Sequence, residues 1–520
     1  VTIFDDGNIM AKGEEEKAGQ QAGKRIDRFG EAANTFEWII TALALAFVFR
    51  AFVMEAFRIP TGSMADTLMG AHYRLRCMAC GYKYCYGEST RQPPRSQKQS
   101  RFFQREFSRC PSCGYFQQVD DTALSNGDRI LVLKCIYQFY EPKQWDVVVF
   151  RNPLDPTENY IKRLVGRPGE TVEIIDGDVY INGKISRKPA KAQEELWMPI
   201  YDNDYQPVRP EEPMFNWHAW RQPWSVKGTK WMIDEENPTV LRLDSPPDEK
   251  NSLKYDDSAG NDFRATYAYD ETNTNDYRFM PYCSDLMVRF WVNTSRQEGT
   301  VGATLSKYGI SYAGRVDFSG HISIFRLGEP NKAGEQELSK KTISPPATDK
   351  AIKFRFANVD HKLALEFGDE KITYDLGVGP DDAGARKTEI EPEAEIFGGG
   401  KITITHLAIF RDIHYTARNP STNDPGRAAE GNPLTLEADQ FFMLGDNSPR
   451  SEDGRWWRNR GKGNGGRTYA EGIVPREYLV GKALLVYWPA GFRPFNQFPF
   501  AIIPNVGEPR FIYGGSDYTE

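Results

Sequence analysis

A serine and a lysine in this chain are of the residue types that can together cleave an amide bond. Ser63 stands in Arg58-Ile-Pro-Thr-Gly-Ser-Met-Ala-Asp-Thr-Leu68, directly behind an apolar stretch. A serine hydroxyl needs a base before it can attack a carbonyl, and histidine is the usual one. His72, His218, His321, His361, His406 and His414 lie in no recognisable triad context. The alternative base is Lys162, in the strand-like run Tyr160-Ile-Lys-Arg-Leu-Val-Gly-Arg-Pro-Gly-Glu170, which closes in a Pro-Gly turn. A lysine does this work only when neutral, as in the Ser-Lys variants of the catalytic triad. Its pKa near 10.4 must fall by about 2–3 pH units, at roughly 3–4 kcal/mol of ammonium desolvation. Ile161, Leu164, Val165 and the run Val147-Val-Val149 supply apolar walls for that. Gly445-Asp-Asn-Ser-Pro-Arg-Ser-Glu-Asp-Gly-Arg455 adds a polar, turn-rich support, in which Asp446 and Asn447 read as turn-formers.

These groups must be held by an anchor and by strands. Phe36 to Met54 is apolar apart from Glu37 and Arg50, and its uninterrupted core, Trp38 to Phe49, is short enough to be a buried helix or a signal-peptide core instead. Near a helix end the long Arg50 stem can reach the interface. No Ala-x-Ala site follows at the distance a cleaved signal needs. Lys24, Arg25 and Arg28 precede it, which places the N-terminus in the cytoplasm and the serine outside. The expectation is a flexible cytoplasmic tail at 1–35, an uncleaved anchor at 36–57, and an inner-membrane protein with one span. Short alternating runs follow, among them Arg129 to Lys134, Trp145 to Phe150, Thr171 to Ile175 and Asp178 to Lys184, the last two split by an Asp-Gly turn.

With 520 residues, two or three folded units are expected. A net charge of -7 argues against wholesale nucleic-acid binding. Seven cysteines are too few for a disulfide-built scaffold. Four of them form two knuckles, Cys77-Met-Ala-Cys80-Gly and Cys110-Pro-Ser-Cys113-Gly. Glycine after the second cysteine lets backbone amides turn toward the thiolates, and four thiolates complete a closed, structural zinc site. Two disulfides are the alternative on an oxidising face. Between the knuckles, Arg91, Arg95, Lys98, Arg101, Arg105 and Arg109 alternate with Phe102, Phe103 and Phe107, which suits anionic lipid headgroups or simply a solvated loop.

The three chemical segments, in this order behind an anchor, closely resemble the boxes of bacterial type I signal (leader) peptidases, the membrane-bound Ser/Lys proteases. Trp145 to Phe150 and Val480-Gly-Lys-Ala-Leu-Leu-Val-Tyr-Trp488 extend the resemblance, which covers roughly 40–45% of the chain. It implies Ser63 as nucleophile, Lys162 as general base, and Ser451 as the hydroxyl that orients the lysine amine. It implies Asp453 and Arg455 as a supporting ion pair, and Thr61 as partner of the Ser63 amide in the oxyanion hole. Phe57, Ile59, Met64, Val149 and Ile161 would line shallow pockets for small side chains of an exported preprotein. No cofactor is implied for catalysis. Gly454 departs from the serine common between the Asp and the Arg of that box. A self-cleaving repressor of the SOS type would carry a DNA-binding module instead of an anchor. A non-catalytic, glycan-binding or scaffold protein would be expected to lack Ser63 or Lys162.

The resemblance divides the chain into a first catalytic part at 58–187, with the knuckles inserted at 74–118, and a second at 437–520. Between them stands an insertion at 188–436. It opens on a Pro/Trp-rich stretch, Lys188 to Trp224, that reads as an extended linker. Then come alternating runs such as Leu286 to Val292, Ile322 to Leu327, Ile352 to Ala357, Lys362 to Phe367 and Lys401 to Phe410. Period-two alternation with regular turns predicts an antiparallel β-sandwich. The run Val359 to Leu376 followed by Ile402 to Arg411 resembles the concanavalin/laminin-G jelly roll, which implies a glycan or protein ligand, or a spacer role. The whole is expected to be mostly β. The ends of the insertion should lie close together, and the catalytic part, bridged without it, should keep its activity.

Overall fold

The computed structural model describes residues 30–87, 107–119, 124–212, 214–216, 218–234, 236–269, 280–328, 334–377, 390–419, 423–491 and 507–515. The expected tail up to residue 29 and most of the basic loop, residues 88–106, lie outside them. The first described element is a helix, Gly30–Val53, with a mean hydropathy of 1.9 over its most apolar stretch, none of which is buried. It is long and apolar enough to cross a membrane. Its last turn, Phe49–Val53, is a π-turn. It ends four residues earlier than expected, because Met54–Arg58 is already a strand paired with Arg129–Leu133.

That strand opens an antiparallel sheet of eight strands. Arg129–Leu133 pairs next with Leu479–Trp488, then follow Val147–Arg151, Asn159–Gly166, Gln440–Leu444 and Val474–Pro475, with Arg510–Phe511 on the side of Leu479–Trp488. Val147–Arg151 is central, with both edges paired, and Val147 to Phe150 are all buried, so both of its faces are covered. Successive strand residues point to opposite faces. Val147 and Val149 therefore join a core with Ile59, Met64, Leu68, Ile130, Val132, Ala483 and Val486. Val148 and Phe150 join another with Leu164, Phe441, Met443, Trp457 and Tyr478. A small sheet of Thr171–Ile175, Asp178–Ile181, Lys184–Ile185 and Leu434–Thr435 packs beside it.

The inserted part is a sandwich of two antiparallel sheets, eight and six strands, around one core. Along Leu286–Thr294, Leu286, Val288, Phe290 and Val292 point into that core while Arg289 and Trp291 do not, and Phe290 stacks on Phe354 at 4.4 Å between ring centres. All the runs named above are strands, to within a few residues at their ends. The six-stranded sheet also contains Thr300–Lys307, Ile310–Asp317, Glu335–Thr342 and Ala394–Gly399, which were not expected. Thr300–Lys307 is Thr-Val-Gly-Ala-Thr-Leu-Ser-Lys, a weak alternation. Its Gly302 is required by close packing: a Cβ there would lie 2.3 Å from the Phe397 ring and 2.4 Å from the Gly314 carbonyl oxygen.

The stretch from Lys188 to Trp224 is not an extended linker. It forms a helix, Ala190–Leu196, and a strand, Met198–Asp202, paired with Lys401–Arg411. Phe215 is buried in the knuckle core and Trp224 in the sandwich core. Lys188 and Lys307 lie in a buried charge cluster between the parts. Lys188 Nζ meets Asp360 at 2.5 Å and Asp412 at 2.8 Å, and Lys307 Nζ meets Asp178 at 3.4 Å and, more closely, Asp285. The segment after Asp412 packs with the small sheet: Ile413, Tyr415, Ala428 and Leu436 share a core with Val172, Ile174 and Val179.

Candidate active site

Ser63 sits five residues beyond the end of the strand Met54–Arg58, on a tight turn in which Ala65 N–H donates to Gly62 O at 3.0 Å. Lys162 comes from Asn159–Gly166, opposite Val148 of the central strand. Gln440–Leu444 pairs with Arg163, Leu164 and Gly166 but not with Tyr160–Lys162, so among the described residues the strand edge is unpaired where the lysine emerges. The two residues are 99 apart in sequence, and Lys162 Nζ lies 2.5 Å from Ser63 Oγ. Ser63 is half-buried, whereas Lys162 is 4% exposed. Burial lowers the Lys162 pKa from 10.5 to about 8, against the opposing pull of the Asp453 carboxylate. The Tyr160 ring lies 5.5 Å from its Nζ. Its apolar walls are those of its own strand parity, Val148 and Leu164. Ile161, Val147 and Val149 belong to the opposite core.

The polar box forms the floor. Asp453 and Arg455 are fully buried and bidentate, with Arg455 Nε and Nη2 donating to Asp453 at 2.9 and 2.6 Å. Arg455 Nη1 also donates to Thr416 O at 2.8 Å and to Ser448 Oγ at 2.6 Å. Asp453 accepts from Gly445 N–H at 3.0 Å. Gly454 has no room for a side chain: a Cβ there would lie 2.6 Å from the Phe442 ring and 2.8 Å from Gly472 O.

Ser451 is buried at the site, 3% exposed, yet its hydroxyl makes no hydrogen bond among the described residues, to Lys162 included. It presses against Gly445, where a Cβ would lie 2.1 Å from Ser451 Oγ and 2.4 Å from Ser63 O. Thr61 is exposed on the approach to Ser63. Phe57, Ile59, Met64, Val149 and Ile161 form one contiguous cluster. Ile59, Met64 and Val149 are at most 2% exposed, so Phe57 and Ile161 are its accessible members.

Asp446 and Asn447 do more than shape a turn. Asp446 binds Arg163 with two hydrogen bonds, 2.8 and 2.7 Å, both side chains fully buried, and accepts from Thr67 Oγ1 at 2.7 Å. This ties the lysine strand, the serine loop and the polar box together. Asn447 N–H donates to Ser63 O and its Nδ2 to Gly62 O, both at 3.1 Å. An arginine next to Lys162 in a buried strand was the available signal, since a buried guanidinium requires a carboxylate partner.

The chain matches the family described as signal peptidase, peptidase S26, over residues 118–226 and 401–488, segments that contain Lys162, Ser451, Asp453 and Arg455 but not Ser63. It is related to the type I signal peptidases. Signal peptidase I of Rickettsia massiliae (strain Mtu5) is 31% identical over 150 residues, 28% of this chain and 43% of the relative. Signal peptidase I of Rickettsia typhi (strain ATCC VR-144 / Wilmington) is 32% identical over 142 residues, 27% and 40%. The chain thus spans about two-fifths of the length of these curated relatives. Among solved structures, the carbohydrate binding module CBM66 from Bacillus subtilis is 10% identical, with 36% of this chain and 95% of that one covered and a TM-score of 0.24. For galectin LEC-6 of Caenorhabditis elegans the values are 10%, 25%, 87% and 0.19.

The four knuckle cysteines meet. Their sulfurs lie within 4.8 Å of one another, with Cys77 to Cys113 at 3.6 Å and Cys80 to Cys110 at 3.8 Å. Disulfide sulfurs would be about 2 Å apart. Zn–S bonds of about 2.3 Å in a tetrahedron put sulfurs roughly 3.8 Å apart. The set fits a zinc ion and leaves no position for water. Gln117 supports it by accepting from Met78 N–H at 2.8 Å. Arg109, the last of the basic residues, docks the knuckles onto the insertion, donating to Asn216 and Asn261 at 2.7 Å each.

Proposed function

We propose that this chain is a membrane-anchored serine endopeptidase that removes N-terminal signal peptides from exported preproteins. The observation that carries it is the buried Lys162 amine at 2.5 Å from Ser63 Oγ, with its pKa lowered to about 8. A neutral Lys162 takes the Ser63 proton as the oxygen attacks the scissile carbonyl. The ammonium then donates that proton to the leaving amine, and the acyl-serine is hydrolysed by water that Lys162 activates in turn. The Ser63 N–H, which donates to no described residue, and the Thr61 hydroxyl would hold the oxyanion. Asp453 and Arg455 support the floor, and Ser451 would turn its hydroxyl to the amine during the cycle. The free edge at Tyr160–Lys162 would take an extended substrate as an added strand, with small side chains meeting Phe57 and Ile161 above Ile59, Met64 and Val149.

The helix Gly30–Val53 would be the single span in the inner membrane, with the N-terminus cytoplasmic and the site just outside the bilayer. Cys77, Cys80, Cys110 and Cys113 would hold a structural zinc, and catalysis needs no cofactor. The test is cleavage of a preprotein with an Ala-x-Ala site in detergent. Wild type should process it, and Ser63→Ala and Lys162→Ala should not. Processing by Ser63→Ala at the wild-type rate would overturn the assignment.

A further inference from the structure

The inserted part reaches the nucleophile itself. Before Tyr269 the chain leaves the sandwich at Phe263 and places Tyr267 in the core of the small sheet. Tyr269 then lies against the Ser63 turn, 4% exposed. Its ring occupies the place of a side chain at position 62: a Cβ on Gly62 would lie 2.0 Å from Cε1 and 2.7 Å from Cζ. A Cβ on Gly87, at the end of the knuckle strand Lys83–Gly87, would likewise lie 2.3 Å from the same Cε1. The ring therefore packs against two glycine α-carbons. Its hydroxyl donates to Ala71 O at 3.0 Å, and its carbonyl accepts from Gly87 N–H at 2.6 Å. Asn447 holds the carbonyls of Gly62 and Ser63 at 3.1 Å. The turn is thus fixed from two directions, by the polar box and by the insertion.

We propose that Tyr269 is a positioning residue for the peptidase, supplied in cis by the inserted part. Its ring fixes Gly62, and through Gly62 it sets the direction of the Ser63 amide and hydroxyl toward Lys162. This rests on the reading of Ser63 as nucleophile. Only glycine at 62 lets an aromatic ring come this close to the backbone next to a nucleophile, and a rigid ring restrains a turn without a further charge. The insertion is then not a detachable accessory: a chain bridged across it would keep Ser63, Lys162 and Ser451 and still lose turnover.

The test uses the full-length chain in detergent, as wild type, Tyr269→Ala, Tyr269→Phe, Gly62→Ala and the double variant Gly62→Ala/Tyr269→Ala. Two quantities are read: the rate at which a fluorophosphonate labels Ser63, and kcat and KM on an Ala-x-Ala preprotein. Misplacing a reacting group by about 1 Å costs on the order of 10²-fold. Tyr269→Ala should slow both labelling and kcat by about 10- to 100-fold, with KM within about twofold. Tyr269→Phe, which keeps the ring, should recover most of the rate. Gly62→Ala should be slow, and removing the ring in the double variant should restore part of its labelling rate, a rescue that loss of folding would not produce. Wild-type labelling and kcat in Tyr269→Ala, or a double variant slower than Gly62→Ala, would overturn the proposal. A Ser63→Ala chain that processes the preprotein at the wild-type rate would instead overturn the nucleophile assignment.

Discussion

Replacing Lys162 by methionine should abolish cleavage and at the same time make the protein harder to unfold at neutral pH. Burial holds the lysine pKa at about 8 instead of 10.5, so keeping it charged in the folded state costs about 3 kcal/mol. Its bond to Ser63 Oγ returns roughly 1 kcal/mol. Methionine fills a similar volume among Val148, Leu164 and Tyr160 without that charge, so a gain of about 1–2 kcal/mol is expected at pH 7. The sign with pH follows from the depressed value. Below pH 8 both states carry the proton and the cost is present in full. Between about 8 and 10.5 only the unfolded state keeps it, so wild-type stability rises with pH. The advantage of the methionine variant should therefore be greatest at or below pH 7 and should shrink by pH 10. Guanidinium unfolding in detergent at both pH values, followed by tryptophan fluorescence, measures this. A methionine variant less stable than wild type at pH 7, or a difference that does not change with pH, would refute the reasoning.

Wild-type kcat/KM should rise about tenfold per pH unit below pH 8 and level off above it, as the lysine loses its proton. Lys162→Arg should be as inactive as Lys162→Ala, because a guanidinium stays charged at any usable pH, and near-normal turnover would refute the lysine base. Metal analysis of the purified chain should find about one zinc, and Cys110→Ser should lower it while leaving the knuckle segment less resistant to proteolysis. Arg455→Ala strands the fully buried Asp453 carboxylate, and urea unfolding should show a loss of about 3–5 kcal/mol. Lys307→Met leaves Asp178 and Asp285 without their shared cation; its melting temperature should fall more at pH 8 than at pH 5, where the carboxyls can take up protons.

Local order along the chain determined a good deal by itself. The apolar stretch, the serine turn, the lysine strand and the two knuckles are each written in a few adjacent residues, and so is the alternation of Leu286–Thr294 and Lys401–Arg411. Ser63 and Lys162 could be proposed as nucleophile and base because the short segments around them carry the family resemblance, and the four thiolates because their two C-x-x-C spacings suit a metal. The strands Thr300–Lys307 and Ala394–Gly399 could not, since their small residues and glycines are there to let Phe397 and the neighbouring backbone approach, and that leaves no periodic apolar signal. What joins the site was equally invisible. Asp446 meets Arg163 across 283 residues, Tyr269 reaches Ala71 across 198, and Lys307 meets Asp178 across 129. Each is a single side chain whose partner is chosen by the packing of the sheets. Buried charges and bare glycines show in a sequence only that a partner is required; tertiary packing decided which residue came to meet them.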